Sequence, residues 1–142
     1  MNGLPNKRDL KLDEYDIGKY AYRELHNFCL QYPEKKKRIT ELRHPYQSPR
    51  ITGLPGGTGV GDPTGKNAER AALLAEECKL IEETVKEAGG GFYQSLLANV
   101  TNEHMPWEVL LPPCGRRQFY EARRKFFYLL FLKRGNTKDV LP

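Results

Sequence analysis

The sequence lacks several features that define large classes of protein. It has no uninterrupted apolar run of about 18 residues, the length that a transmembrane helix requires, so we expect no membrane span. The first residues lack the apolar core of a signal peptide, and we therefore expect a soluble, cytoplasmic protein. The three cysteines, Cys29, Cys78 and Cys114, are odd in number and widely spaced, which argues against a disulfide scaffold.

The sequence also lacks the motifs of nucleotide-binding loops and of zinc sites. The glycine-rich stretch ending at Lys66 fails the phosphate-loop pattern because Val60 stands where glycine is needed and Asn67 where Ser or Thr is needed. His26 and Cys29 are spaced for one helix face, but no second pair completes a zinc site. We predict a protein without cofactor or metal.

No arrangement of residues indicates catalysis. Two pairs of adjacent acids, at 76–77 and 82–83, fall on the solvent side of a long predicted helix, where no cleft is implied. No nucleophile has a recognisable base beside it. We therefore predict that the chain is not an enzyme.

Glycine and proline divide the chain. Residues 45–66 contain six glycines and four prolines and are predicted to be an irregular linker. Before it, helical spacing predicts a helix over 12–32 and, from Pro33, a short second helix anchored by Ile39 and Leu42. After it, residues 67–88 form the clearest helical pattern, which the glycines at 89–91 end.

The long predicted helix carries a narrow apolar stripe that should pack against another helix. Its partner is the helix over 12–32 or a second copy of the chain, and the sequence does not choose between them. Leu73 and Leu80 are expected to widen the stripe. The stripe consists of Ala71, Leu74, Cys78, Ile81, Val85 and Ala88.

Three further helices are predicted at 92–101, 106–111 and 115–134. Their lengths and short connections match a helix-turn-helix unit, anchored by apolar side chains on all three. The anchors are Leu96, Leu97, Trp107, Leu110 and Phe119. The last helix carries seven basic residues and one acid, a local charge of +6 in a chain of net charge +5.

The basic helix is amphipathic, which predicts a function for each side. Phe119, Ala122, Phe126, Leu129 and Leu130 cluster on the packing side, and Phe127, Phe131 and Leu132 imply contact with the N-terminal helices or a second subunit. Residues near the start of a recognition helix reach deepest into a major groove. The predicted base-edge residues are Arg117, Tyr120, Glu121 and Arg124, and the predicted phosphate contacts are Arg116, Arg123, Lys125, Lys35, Lys36 and Lys37.

The linker phrase SPRITGLPGGTGVGDPT at 48–64, together with RQFYEARRKFF at 117–127, resembles phage transcriptional activators of the RinA and ArpU type. The resemblance spans about residues 12–134. It implies a DNA-binding regulator of late prophage promoters with a helix-turn-helix similar to region 4 of sigma factors. In that scheme residues 107–111 form the supporting helix and residues 116–124 the reading helix.

The sequence therefore predicts an all-α protein with an N-terminal helical module (1–44), a Gly/Pro-rich linker (45–66), a long helix (67–90), a helix-turn-helix region (91–135) and a tail (136–142). Its expected partner is double-stranded DNA, with host RNA polymerase as a further contact and homodimerisation as the expected assembly. Two alternatives remain open. One is a small-terminase-like DNA-packaging protein, and the other is a phage-encoded inhibitor that binds an acidic host protein surface.

Overall fold

A computed structural model describes residues 17–44 and 63–135, and every regular element within these ranges is helical. The all-α class predicted from the sequence is confirmed. The elements are α1 (Lys19–Leu30), α2 (Tyr32–Arg43), α3 (Pro63–Gly89), a 3₁₀ turn (Gly90–Phe92), α4 (Tyr93–Val100), α5 (Trp107–Leu110) and α6 (Arg116–Lys133).

Helix boundaries differ modestly from the sequence-based prediction. Residues 12–16 of the first predicted helix lie outside the described residues, and α1 begins after Gly18, whose φ of 76° is in the region that glycine tolerates best. The long helix begins at Pro63 rather than at Asn67, since proline at the start of a helix loses no hydrogen bond that the helix would use. The last four residues of the predicted linker are therefore helical, and residues 45–62 lie outside the described residues.

The described residues fall into two compact units. Unit 2 contains residues 32–44 and 63–79, and its core joins Ile39 and Leu42 of α2 to Ala71 and Cys78 of α3. The stripe on α3 thus meets α2 over this stretch. Helix α2 was not one of the two predicted partners, which were the helix over 12–32 and a second copy of the chain. Leu73 does not widen the stripe, because it is 64% exposed.

Unit 1 contains residues 17–31 and 80–135, and α4 and α6 both contribute to its core. Helix α6 packs against α1 and α4, and α4 also contacts α1 and α5. Burial of each large apolar side chain contributes about 1.5–3 kcal/mol, so these contacts dominate the stability of the unit. Its most deeply buried side chains are Leu25, Cys29, Ile81, Thr84, Val85, Leu96, Val100, Phe119, Phe126 and Leu130.

The junction between α3 and α4 depends on glycine at the end of α3. A Cβ at position 89 would lie 3.1 Å from Cδ2 of Leu96 and 3.3 Å from Cβ of Tyr93. Leu96 is fully buried and has no room to retreat. Gly89 therefore allows the two helices to approach each other closely, whereas a Cβ at position 91 would meet no atom within 4 Å.

Candidate nucleic-acid interface

Helix α6 is held on the unit 1 core by its apolar side, as its amphipathic pattern predicts. Phe119, Ala122, Phe126 and Leu130 are buried, and Leu129 is half-buried. Phe127 is also buried, with its ring 5.0 Å from that of Tyr22 in a T-shaped arrangement. Packing on the N-terminal helix within the same chain, one of the two explanations offered for Phe127, is therefore observed.

The turn between α5 and α6 is braced by hydrogen bonds from one aromatic residue. The indole Nε1–H of Trp107 donates to the carbonyl oxygen of Cys114 at 3.1 Å, and the backbone N–H of Trp107 donates to the hydroxyl of Tyr120 at 3.3 Å. Arg116 spans the same turn and places its Nε 3.2 Å from Oε2 of Glu108. These contacts fix the start of α6 relative to the single turn of α5.

A leucine in the left-handed region ends α5. Leu111 has φ of 46° and ψ of 58°, a conformation that costs an L-residue roughly 1–2 kcal/mol and usually calls for glycine. Its side chain is 68% exposed and so recovers little of this cost by packing. The chain then passes through the buried Pro112 to the first residue of α6.

The first turn of α6 is electrostatically unusual. Its N-cap is Gly115, which offers no side-chain hydrogen bond, and the turn contains no acidic residue. Arg116 and Arg117 occupy the first two helical positions with side chains that are 52% and 56% exposed. Two cations therefore sit at the positive end of the helix dipole, where an anion would be stabilised.

The structure divides the four predicted base-edge residues. Arg117 is exposed, and its Nε lies 3.2 Å from Oε2 of the half-exposed Glu121 one turn later. Tyr120 is half-buried with its hydroxyl accepting the Trp107 N–H, and the Arg116 guanidinium lies 5.2 Å from its ring centroid. Arg124 is half-buried, and its Nη1 atom is inaccessible to solvent. Arg117 and Glu121 are thus better presented than Tyr120 and Arg124.

The predicted phosphate contacts on α6 also separate. Arg116 and Lys125 are exposed, but Arg123 is turned inward and serves the fold. Its Nε donates to Oδ1 of Asn99 at 2.6 Å and its Nη1 donates to the hydroxyl of Tyr22 at 3.0 Å. The guanidinium also lies 5.0 Å from the ring centroid of Phe127. Arg123 thus links α1, α4 and α6, and its predicted contact with a DNA phosphate stays a prediction.

The three lysines of α2 belong to unit 2, and they differ in exposure. Lys35 is buried, and its Nζ lies 2.9 Å from Oε1 of Glu77. The Nζ of Lys36 lies 5.8 Å from the Tyr32 ring, and both Lys36 and Lys37 are exposed. The phosphate contacts predicted for these lysines stay predictions, and Lys35 is the least accessible of the three.

Sequence reasoning left Gln118 undecided, and the structure shows that its side chain is exposed on α6. Helical geometry puts Gln118 and Lys125 on the side of α6 that also carries Arg117 and Glu121, opposite the buried phenylalanines. Both side chains are exposed. We call the four residues Arg117, Gln118, Glu121 and Lys125 the outer face of α6. The sequence already contained a signal for this face, because Glu121 lies three positions after Gln118, four after Arg117 and four before Lys125.

Asn99 was also missed, and its signal was weak. It is a buried polar residue beside the buried Val100 in α4, and its Nδ2 donates to the carbonyl oxygen of Met105 at 3.0 Å. With its Oδ1 bound to Arg123, the amide uses both of its ends in holding unit 1 together. A polar residue within an apolar stripe is the only hint that the sequence offers.

Two titratable groups of unit 1 are shifted. Burial lowers the pKa of His26 below 6.5, the nearby Arg123 charge lowers it further, and Glu103 partly opposes both. Burial raises the pKa of the Cys114 thiol, which keeps this residue of the turn in its less reactive neutral form.

Among the concavities that the described residues line, two border α6. The larger groove, of about 590 Å³, runs from the glycines at 89–91 to the outer face of α6 and is lined by Phe92, Pro113, Gln118 and Lys125, among others. The smaller pocket, of about 170 Å³, lies between α1, the segment after α4, and α6. Over the described ranges, no group of three or more His, Cys, Asp or Glu side chains is arranged to hold a metal ion.

No helix in the described part of the chain has the length and apolar character needed to cross a membrane. Comparison of the chain with protein-family models, with curated proteins and with solved structures finds no match.

Proposed function

We propose that this protein binds duplex DNA through the first half of α6 and regulates transcription, as a non-enzymatic regulator of phage or prophage late genes. The observation that carries the proposal is the braced start of α6, where uncapped backbone N–H groups and two exposed arginines are presented beside the outer face. Double-stranded DNA supplies both ligands that this arrangement favours, phosphate oxygens and hydrogen-bonding base edges.

The helix start favours phosphate. The first N–H groups of any helix lack intrahelical acceptors, and here Gly115 contributes no side-chain acceptor. Arg116 and Arg117 raise the local positive potential further. A backbone phosphate placed at this end would accept hydrogen bonds from N–H groups and neutralise charge that otherwise destabilises the helix.

The outer face favours base reading. Arg117 can make paired hydrogen bonds to guanine, Gln118 can make them to adenine, and Glu121 can accept from cytosine. Lys125 lies one turn beyond Glu121 and is placed to meet the backbone of the groove wall. The braced turn holds these side chains on a fixed helix, which reduces the entropy lost on binding.

The ion pairs seen on this surface do not oppose the proposal. The pairs Arg116–Glu108 and Arg117–Glu121 are exposed, and such pairs contribute at most about 1 kcal/mol. Phosphate or base contacts can replace them at small cost. The same pairs restrain the arginine side chains before DNA arrives.

The first test is salt-dependent binding to duplex DNA. Fluorescence anisotropy with a random duplex at two salt concentrations should show affinity that falls steeply with salt. Arg117→Ala should weaken binding to a selected site by about 1–3 kcal/mol while changing random-duplex binding little. Arg23→Ala, which removes an exposed arginine of α1, is the matched control and should leave both affinities unchanged.

Selection from randomised duplex DNA with the purified protein would identify the operator sequence. The mass of the protein in solution distinguishes a regulator from a DNA-packaging protein. A dimer supports a regulator that reads two half-sites. A ring of eight or more copies would instead support the packaging protein. Absence of salt-sensitive DNA binding would refute the proposal and favour the inhibitor of an acidic host protein. Contact with host RNA polymerase is tested by transcription from the selected site with and without the protein.

A further inference from the structure

The smaller pocket of unit 1 lies beside a positive charge that the fold does not neutralise. Arg123 lines this pocket, and among the described residues its hydrogen-bond acceptors are the neutral Asn99 amide and the neutral Tyr22 hydroxyl. No carboxylate of the described ranges lies within salt-bridge distance of the guanidinium. A half-buried cation that is held by neutral groups keeps its full electrostatic attraction for an added anion.

The pocket also offers further polar groups to a ligand. Arg123 has a second terminal nitrogen, Nη2, that makes no hydrogen bond to the described residues. His26 lines the same pocket, and its ring contacts in the described ranges are aromatic ones with Tyr22 and Phe127. Tyr120 lies on the pocket wall, and so does Asn102, whose Nδ2 already donates to the carbonyl oxygen of Ala98 at 2.9 Å and to Oγ1 of Thr101 at 3.3 Å. Donors on α1 and α6 thus converge on one space.

The volume of about 170 Å³ suits a small ligand. It is several times the roughly 30 Å³ that one water molecule occupies in the liquid, which is room for a tetrahedral oxyanion with part of its hydration. One wall works against an anion, since Glu103 also lines the pocket. Glu103 is exposed, so water screens its repulsion more than the attraction of the half-buried Arg123.

We propose that the pocket lined by His26, Tyr120 and Arg123 binds a phosphate-class oxyanion. The ligand would accept hydrogen bonds from Arg123 and His26 and so tie α1 to α6. This site is separate from the outer face of α6, and it does not depend on whether that face binds DNA. Bound oxyanion should stabilise the fold by mass action, because it binds only the folded protein.

The test uses inorganic phosphate as the probe and the full chain as the protein. The imidazole resonance of His26 is followed by NMR during titration, with sodium chloride at matched ionic strength as the reference. The proposal expects a saturable phosphate-dependent shift that chloride does not produce. A parallel titration with dimethyl phosphate distinguishes two sources of the ligand. If the pocket takes a nucleic-acid backbone diester, dimethyl phosphate should bind as well as inorganic phosphate. If it takes a phosphate monoester, inorganic phosphate should bind better.

Matched carboxylate variants make the test decisive. Glu103→Gln removes the one acid on the pocket wall and should tighten phosphate binding about threefold, as expected for one unit charge several ångströms away in a water-like dielectric. Glu108→Gln removes an exposed acid that pairs with Arg116 outside the pocket, and it should leave the phosphate affinity reported by His26 unchanged. Equal affinities in these two variants, or no saturable shift in the parent protein, would overturn the proposal.

Arg123→Gln supplies the direct loss-of-function variant. It should weaken phosphate binding about tenfold or more, since a hydrogen bond to a charged group is lost. This residue also links three helices, so its folding is checked by circular dichroism. If the variant does not fold, the comparison of Glu103→Gln with Glu108→Gln still decides the question.

Discussion

A side-chain cap at position 115 should strengthen the start of α6 and, when it is charged, weaken DNA binding. Gly115 has the extended backbone of an N-cap, with φ of −75° and ψ of 163°, and a Cβ added there would meet no atom within 4 Å. Asparagine or aspartate therefore fits without strain. Each would accept a hydrogen bond from an N–H group of the first turn.

The expected gain follows from two contributions. Replacing glycine restricts the unfolded chain by about 0.4–1 kcal/mol, and the cap itself adds a few tenths, so Gly115→Asn should raise the free energy of unfolding by about 1 kcal/mol. Gly115→Asp adds about 0.3–1 kcal/mol because its charge complements the helix dipole and the two arginines. Urea unfolding, followed by circular dichroism, measures both values.

DNA binding then separates the two nearly isosteric variants. Asparagine should leave affinity for random duplex almost unchanged, whereas aspartate should repel phosphate at the helix start and weaken binding about fivefold at low salt, with a smaller effect at higher salt. Equal DNA affinities for the two variants would show that phosphate does not approach this end of α6. Loss of stability in both variants would show that position 115 is not the cap.

Three further changes test the packing that holds α6 in place. Asn99→Ala should lower the free energy of unfolding by about 1–3 kcal/mol, because it leaves part of the Arg123 guanidinium without its acceptor, and urea denaturation measures this. Gly89→Ala should cost about 1–3 kcal/mol through overpacking against Leu96, whereas Gly91→Ala should not, and a similar melting temperature for the two would contradict the close approach of α3 and α4. The lowered pKa of His26 means that the unfolded chain takes up its proton more readily, so stability should fall as the pH drops below 6.5. His26→Gln should flatten this dependence in denaturation midpoints measured above and below that pH, and an unchanged slope would refute the assignment.

Much of the fold was predictable because helix periodicity is a local property. The apolar spacing of α6 identified Phe119, Phe126 and Leu130 as packing residues, and all three are fully buried. Proline and glycine likewise placed the ends of α2 and α3 within a few residues. What periodicity could not give was the partner of each stripe, and in unit 2 the stripe of α3 packs on α2, a helix that the sequence did not suggest as its partner.

The candidate interface was less predictable because side-chain partners come from distant parts of the sequence. The sequence pattern predicts a DNA contact for both Arg117 and Arg123, but Arg123 hydrogen-bonds to Asn99 and Tyr22, which lie 24 and 101 positions away. Lys35 likewise has the sequence setting of a surface lysine, but the fold brings Glu77 beside it. By contrast, the pair Arg117–Glu121 lies within one helix, and its exposed position followed from spacing alone.

Trp107 is the only tryptophan in the chain, and its indole bonds directly to the turn that leads into α6. Tryptophan fluorescence excited at the indole band therefore reports on the turn between α5 and α6 without an added dye. A change of tryptophan emission on addition of a ligand would show that the ligand alters the turn before α6. An unchanged spectrum during partial denaturation would show that another region unfolds first.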